Sequence, residues 1–400
     1  MKILMICGYF AQENEAEVIR HARANVEFSA NQFQKKLIGG MQSLEQELYV
    51  VSAPFIGSYP NASDICVFKG FEEPQNVCQY VSFNNLWGVR NLSRARQLKK
   101  AIRFFIDMDD AEKLILVYCA HTPFLEAAAY AKKRDPRIRI CFYVPDLPNY
   151  MNLNTNRSKL YDIAKAYDNA VMRRYMELVD SFVLLTEQMR ACLPVGNKPC
   201  MVVEGIMERE RLDLAKEQAA EEPLKYFVYT GKMNAKFGIH ALIDGFSQLK
   251  NPDYRLVLCG EGDCMAYARS AAERDKRILV TGQITPAEAA GWQRRAAVLV
   301  NPRPNNETYT KYSFPSKNVE YLLSGRPVAA CMLSGMPEIY RDFLYEIDGD
   351  SPEAVARALT EAAEDTADNY RARYQAFLAY AREHLAADRI GRAIVNLSRK

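Results

Sequence analysis

Asn301-Pro-Arg-Pro-Asn-Asn-Glu-Thr-Tyr-Thr-Lys-Tyr-Ser-Phe-Pro-Ser-Lys-Asn-Val-Glu-Tyr-Leu-Leu-Ser-Gly-Arg-Pro-Val328 is the stretch that decides the reading of this chain. An apolar run, Ala297 to Val300, leads into it and reads as a buried strand. A polar loop with Arg303, Glu307 and Lys311 follows, then Ser313-Phe-Pro-Ser316, which reads as a helix start. Ser316 suits an N-cap or a first-turn hydroxyl, Lys317 follows it, and Glu320 lies four residues into the helix. Gly325 ends the helix, and Pro327-Val-Ala-Ala opens the next strand. A cationic loop that feeds a helix N-terminus favours a phosphate, because free backbone N–H groups and the helix dipole both attract an anion.

The same strand–helix rhythm runs outward in both directions. Upstream, apolar runs at Lys2–Cys7, Leu48–Ser52, Leu114–Cys119, Ile138–Val144 and Ser181–Leu185 alternate with amphipathic stretches. A charged stretch at 207–223 interrupts the pattern and reads as a hinge. A second series follows, from Tyr226–Thr230 to Pro327–Cys331, and the tail, Asp368–Lys400, reads as helix. The expected fold class is therefore α/β: two Rossmann-like, doubly wound domains with a cleft between them. The boundaries are 1–205, a linker at 206–224, 225–365, and a C-terminal helix at 366–400 that crosses back to the first domain. In such sheets ligands bind beyond the carboxyl ends of the strands.

Four hundred residues, nearly half of them hydrophobic, can fill two cores. A net charge of +3 makes no case for nucleic acid. The ten cysteines show no CxxC pair and no histidine clustering, which fits reduced thiols and neither a disulfide framework nor a metal site. No apolar run approaches the ~18 residues needed to cross a bilayer. The expected location is cytoplasmic, with no cofactor.

Several turns carry chemistry. Gly231-Lys-Met-Asn-Ala-Lys-Phe-Gly238 lies between a strand and a helix, so Lys232 and Lys236 beside Gly231 read as a phosphate cradle. Gly8 and Tyr9 follow the first strand, where backbone must approach a ligand closely. His121, one of four histidines, sits just past a strand end, a place for proton transfer or for binding a hydroxyl. Asp146, in a Pro-Asp-Leu-Pro turn, can bind an acceptor hydroxyl or cap the turn. Arg90–Phe105 sets six cations beside an apolar stripe, as in helices that lie on anionic membrane surfaces.

The 301–328 stretch and the Gly231–Gly238 turn resemble the nucleotide-sugar site of GT-B glycosyltransferases, specifically the GT4-like enzymes of bacterial surface-polysaccharide biosynthesis. The resemblance covers nearly the whole chain and is most specific between about 226 and 340. It implies that Glu320 holds the donor ribose and that Lys232 and Lys236 hold the donor diphosphate. It further implies that Gly282 contributes backbone contacts to the nucleobase, and that Arg303, Glu307, Lys311, Tyr312, Ser313, Ser316 and Lys317 belong to the donor site. The family's earlier glutamate, eight positions before Glu320, is Tyr312 here, so that signature is half present. The implied function is retaining, metal-independent transfer of a sugar from a nucleotide diphosphate-sugar, a UDP-sugar first, to a glycan or lipid-linked glycan. His121, Asp146, Lys232 and Lys236 would be the catalytic residues, and Gly8 and Tyr9 would hold the acceptor. The implied setting is the inner face of a membrane, met through 90–105. A nucleotide-sugar epimerase and a catalytically silent nucleotide-sugar-binding protein are the alternatives.

Overall fold

The protein is described as a computed structural model over residues 1–23, 28–72, 78–109, 112–148, 159–214 and 225–400. The chain forms two compact units, one of Met1–Glu208 with Leu385–Lys400 and the other of Arg209–His384.

In the first unit the strands are β1 (Lys2–Cys7), β2 (Glu47–Ser52), β3 (Val67–Phe68), β4 (Cys78–Tyr80), β5 (Phe83–Asn84), β6 (Lys113–Tyr118), β7 (Arg139–Val144), β8 (Ser181–Leu184) and β9 (Cys200–Val202). Seven of them make one sheet in the order β4-β2-β1-β6-β7-β8-β9, parallel throughout. β3 and β5 pair separately and antiparallel. The helices are α1 (Gln12–His21), α2 (Phe28–Gln42), α3 (Arg90–Ala101), α4 (Arg103–Asp107), α5 (Thr122–Arg134) and α6 (Lys159–Met176). β1 and β6 read as unbroken apolar runs because helices cover both faces of the sheet, and Ile3 to Cys7 and Leu114 to Val117 have no solvent exposure.

The second unit repeats the plan. Helix α7 (Arg209–Leu214) precedes β10 (Lys225–Thr230), β11 (Tyr254–Cys259), β12 (Ile278–Gly282), β13 (Ala296–Asn301), β14 (Val328–Ala330) and β15 (Tyr345–Glu346). These six strands form a parallel sheet ordered β12-β11-β10-β13-β14-β15. Between and after them run α8 (Ile239–Gln248), α9 (Met265–Arg274), α10 (Pro286–Arg295), α11 (Ser316–Leu323), α12 (Pro352–Glu364) and α13 (Ala367–Tyr380). Local signals explain the helix starts: Thr285 and Glu288 form a capping box on α10, and Ser351 accepts from the Ala354 N–H ahead of Pro352 on α12. Val355, Ala358, Leu359 and Ala362 then bury one stripe of α12 against α8.

Both sheets reverse their winding between a first strand and the fourth in chain order. The reversal falls between β1 and β6 in one unit and between β10 and β13 in the other. Connections on either side of such a point leave in opposite directions, so the strand ends there stay uncovered.

The tail differs from the single helix read over Asp368–Lys400. α13 packs within the second unit, a π-turn spans Ala381–Leu385, and α14 (Ala387–Arg399) packs on α2, β7 and β8 of the first. The break coincides with a backbone exchange: Met207 N–H donates to the Leu385 carbonyl (2.7 Å) and Ala387 N–H to the Met207 carbonyl (2.8 Å). Gly40 lets α2 and α14 touch, since a Cβ there would lie 2.2 Å from the Ala387 carbonyl oxygen. Helix α1, the short strands β3, β4 and β5, and β15 carry too few periodic residues to be legible beforehand. Of the linker at 206–224, residues 215–224 lie outside the described residues. No described helix is long and apolar enough to cross a membrane.

One buried charge pair anchors the first unit. Lys113 Nζ, fully enclosed, lies 2.8 Å from Asp135 Oδ2 and donates to the carbonyls of Ile106 (2.8 Å) and Met108 (2.6 Å). Arg137 and then Lys113 hold the Asp135 carboxyl well below its ordinary range. That stabilisation is present above the unfolded carboxylate pKa of about 3.9 and is lost as pH falls through the folded value. Replacing Asp135 with Asn strands the Lys113 charge and should cost about 3–5 kcal/mol in urea unfolding. A cost below about 1 kcal/mol would mean that the Ile106 and Met108 carbonyls suffice without the carboxylate.

Candidate functional site

At the open end of the second sheet, β10 delivers Thr230 and then Gly231. A Cβ on Gly231 would sit 3.2 Å from Lys317 Cε and 3.5 Å from its Nζ, so the α11 lysine reaches over the turn. Burial lowers the Lys317 pKa and the nearby Glu320 raises it, with the net shift downward. The predicted pair Lys232 and Lys236 is exposed, and the Lys236 ammonium lies 5.3 Å from the centre of the Phe237 ring. Asp263 braces this loop by accepting from Asn234 Nδ2 (3.1 Å) and from the Ala235 N–H (2.8 Å).

Glu320 faces solvent on α11, with one oxygen fixed: Gln293 Nε2 donates to its Oε1 at 2.9 Å. The same amide lies 3.2 Å from Thr230 Oγ1. Tyr321 OH, fully buried, accepts from the Thr230 N–H (2.9 Å) and lies 3.2 Å from the Thr230 carbonyl. Thus Thr230, Gln293 and Tyr321 tie the end of β10 to the helix that carries Lys317 and Glu320. None of the three was singled out from the sequence. Gln293 is a polar residue on the covered side of α10, and only its burial there shows that its amide needs partners.

Arg303 joins the cluster from the loop after β13. Its Nη2 donates to Ser313 Oγ (3.2 Å), and its guanidinium lies 5.3 Å from the Tyr309 ring centre and 6.0 Å from that of Phe237. Its Nε is buried without a hydrogen-bond partner among the described residues. Lys311 and Tyr312 close the 3-10 turn Thr308–Tyr312, and exposed Glu307 precedes it, its carbonyl accepting from the Thr310 N–H at 3.0 Å. Ser316 is the first residue of α11 and not its cap; Pro315 holds that position, with no side chain capping the helix. At the α11 N-terminus the Ser316 N–H donates to the Phe314 carbonyl (3.0 Å) and the Asn318 N–H to the Pro315 carbonyl (2.8 Å), so the positive end of the helix dipole lies beside Lys317 with most of its first-turn donors engaged. Gly282 ends β12, its carbonyl accepting from the Gly260 N–H at 2.8 Å.

At the open end of the first sheet, the loop after β1 is held by buried amides of α2. Gly8 N–H donates to Gln34 Oε1 (2.8 Å), and Phe10 exchanges two 2.9 Å bonds with Asn31. Ser52 Oγ donates to the Tyr9 carbonyl at 2.5 Å. A Cβ on Gly8 would lie 2.5 Å from the Phe55 ring, so packing against Phe55 by itself demands glycine there. Phe55 in turn packs on His121, ring centres 5.8 Å apart, and Phe124, itself stacked on Phe55 at 5.6 Å, meets the imidazole edge-on at 4.7 Å.

His121 occupies the N-cap position of α5, two residues after Cys119, whose φ of 69° is left-handed. That conformation costs a non-glycine residue on the order of 1 kcal/mol and turns the chain into α5. Burial first, then Arg94, Arg90 and Lys165, push the His121 pKa well below the ordinary value. The imidazole is neutral at physiological pH, which suits a hydrogen bond to a hydroxyl better than delivery of a proton. Asp146 is exposed after β7 and close enough to Cys119 to raise its thiol, burial being the larger cause. Residues 149–151 of the turn that follows lie outside the described residues.

Residues 224–365 match the family of glycosyl transferases group 1. No curated protein matches the sequence. Many solved structures align along essentially the whole chain, three of them as follows. A sucrose-phosphate synthase from Thermosynechococcus elongatus has a TM-score of 0.60 at 14% identity, covering 100% of this chain and 98% of its own. HepE from Anabaena, in complex with UDP, has 0.59 at 13%, covering 99% of both chains. A trehalose-phosphate synthase from Burkholderia xenovorans, in complex with glucose-6-phosphate, has 0.62 at 11%, covering 100% of both. At such identities the likeness establishes the fold, which is that of the GT-B glycosyltransferases.

The depressed His121 pKa has a measurable consequence. The unfolded chain takes up a proton near pH 6.5 while the folded ring stays neutral, so stability is full above about pH 6.5 and falls below it. The loss is about 1.4 kcal/mol per pH unit until the folded ring protonates. Between about pH 7 and about pH 5.5, wild type should therefore lose about 1.4 kcal/mol more in urea unfolding than His121→Asn. Equal losses in both proteins would mean that the folded ring titrates normally.

Proposed function

We propose that this protein is a GT4-type retaining glycosyltransferase that moves a sugar from a nucleotide diphosphate-sugar, a UDP-sugar first, to a surface glycan or a lipid-linked glycan. The observation that carries the reading is the grouping, at the open end of the second sheet and inside the stretch that matches glycosyl transferases group 1, of Lys317, Arg303, Glu320 and the start of α11, which no side chain caps. Cations beside a helix N-terminus stabilise charge that grows on a leaving diphosphate, which is the term an enzyme of this kind must supply. Lys232 and Lys236 complete the charge, and Glu320 binds the ribose hydroxyls. With that charge supplied by side chains, activity should survive EDTA; a strict Mg²⁺ requirement would move the role to a metal.

The first unit would take the acceptor at Gly8, Tyr9, His121 and Asp146. Arg94 of α3 is fully buried and Lys99 pairs with Glu126, so neither offers its charge to a surface. Two of the six cations read along 90–105 therefore do not serve the surface expected there. The outer side of α3 and α4 carries Arg96, Lys100 and Arg103, with Leu92 72% exposed and Trp87 just upstream 68% exposed. Exposed cations beside an indole and a leucine suit an anionic membrane interface, worth about 1 kcal/mol per cation.

Two measurements test this. Glu320→Gln should weaken nucleotide binding by about 1–3 kcal/mol in calorimetry, and Gln293→Leu should follow it in the same direction, since the amide positions that carboxylate. Unchanged affinity in both would remove Glu320 from the donor site. Product analysis with a labelled donor separates transfer from isomerised sugar and from donor bound unchanged. Arg96→Gln, Lys100→Gln and Arg103→Gln together should release the protein from anionic vesicles at low salt; equal pelleting with wild type would end the membrane proposal.

A further inference from the structure

Arg94 heads the largest fully buried side chains among the described residues, and none of its hydrogen bonds among them is to a carboxylate. Nη2 donates to the Pro54 carbonyl at 2.7 Å, the guanidinium lies 4.3 Å above the Phe83 ring centre, and Nε has no hydrogen-bond partner among the described residues. Its remaining polar contact is Nη1 with His121 Nε2 at 3.3 Å. Burying a guanidinium this way is costly, and a nearby carboxylate would offset the cost far better than an imidazole. The arrangement makes sense if the cation serves the ring.

A guanidinium can only donate. The ring nitrogen facing it must therefore accept, so Nε2 carries no proton and the neutral ring carries its proton on Nδ1. We propose that Arg94 is a positioning residue that locks His121 in the neutral Nδ1–H tautomer, making it a fixed hydrogen-bond donor to a sugar hydroxyl oxygen and excluding it from proton shuttling. This rests on the preceding assignment of His121 to the glycan-binding end of the first unit.

The surroundings agree from each element packed there. α3 supplies a second cation, Arg90, and α6 supplies Lys165, both of which oppose an imidazolium. The α5 N-terminus, where His121 sits, opposes it as well. Of the acids nearby, Asp168 of α6 accepts from Thr122 Oγ1 at 2.7 Å, and Asp146, exposed beyond β7, acts on the thiol of Cys119. Burial and Arg90 pull Arg94 down to about 9, which still leaves it charged at neutral pH. Phe55 and Phe124, stacked on each other, pack against the ring edge-on. Nδ1 has no hydrogen-bond partner among the described residues, so its proton is available to a ligand.

The test is nuclear magnetic resonance on the full chain with labelled histidine. The chain holds four histidines, and His121→Asn identifies the signal. In wild type the His121 nitrogen and Cδ2 shifts should report the Nδ1–H tautomer, unchanged between about pH 5.5 and about pH 8. Arg94→Met should release the ring, giving mixed tautomers or titration near the ordinary value; Arg94→Lys, which keeps a donor, should preserve the tautomer. An Nε2–H signal in wild type, titration near pH 6.5, or an unchanged spectrum in Arg94→Met overturns the lock. Because the wild-type spectrum decides alone, a misfolded Arg94→Met leaves the outcome intact. Sugar transfer should fall roughly tenfold in His121→Asn, the size of one lost hydrogen bond, with kcat falling more than KM rises. Full turnover in that variant overturns the donor role. Failure of wild type to transfer any sugar would instead sink the glycosyltransferase reading while leaving the tautomer result to stand.

Discussion

Each half of this protein depends on the reversal of winding in a parallel sheet. Crossovers between parallel strands are right-handed, so a sheet that grows first one way and then the other must leave two adjacent strand ends without a covering connection. In the first unit those ends belong to β1 and β6, and in the second to β10 and β13. The candidate-site clusters described above stand on these two places, whereas the buried Lys113–Asp135 pair sits at the opposite end of β6. The strands themselves are nearly featureless apolar runs; the chemistry begins at the residue where each one stops.

The two open ends are furnished differently. In the second unit the side chains carry charge and remain incompletely satisfied: Lys317 is buried enough to lose basicity, Arg303 keeps a bare Nε, and α11 starts without a capping side chain. Such a place is short of an anion. In the first unit the loops are held by neutral amides, Asn31 and Gln34, and by aromatic packing around His121. That place offers hydrogen bonds and ring surfaces, the means of holding a polyhydroxylated ligand.

Two buried cations of the first unit make an instructive contrast. Lys113 meets Asp135 and backbone carbonyls, so its burial is nearly compensated and its role is to hold the chain between α4 and α5. Arg94 has one carbonyl, one ring face and one imidazole. Compensation that incomplete in a core is tolerated where it shapes a neighbouring group, here a histidine at a strand end.

The alternation of apolar runs and amphipathic stretches was legible from residues alone, because a strand buried on both faces and a half-buried helix each impose a period that no long-range contact alters. So were Gly231, Arg303, Ser316 and Glu320, since turn glycines, cations and helix starts are local signals. The sequence reading placed Arg94 among surface cations, because a helix face looks equally basic whether one arginine points inward or out; the packing of α3 against the Phe55 and Phe83 segments decided that. Gln293 escaped notice for a related reason: it lies 27 residues from Glu320 and 63 from Thr230, and the parallel sheet brings the three together. The division of the tail into α13 and α14 was likewise invisible locally, since both halves favour helix and the break is set by the Met207 exchange with Leu385 and Ala387. Local chemistry and periodicity therefore belong to the sequence, whereas which polar atoms end up buried, paired or bare depends on contacts between segments far apart in the chain, and those exist only once the sheets have closed.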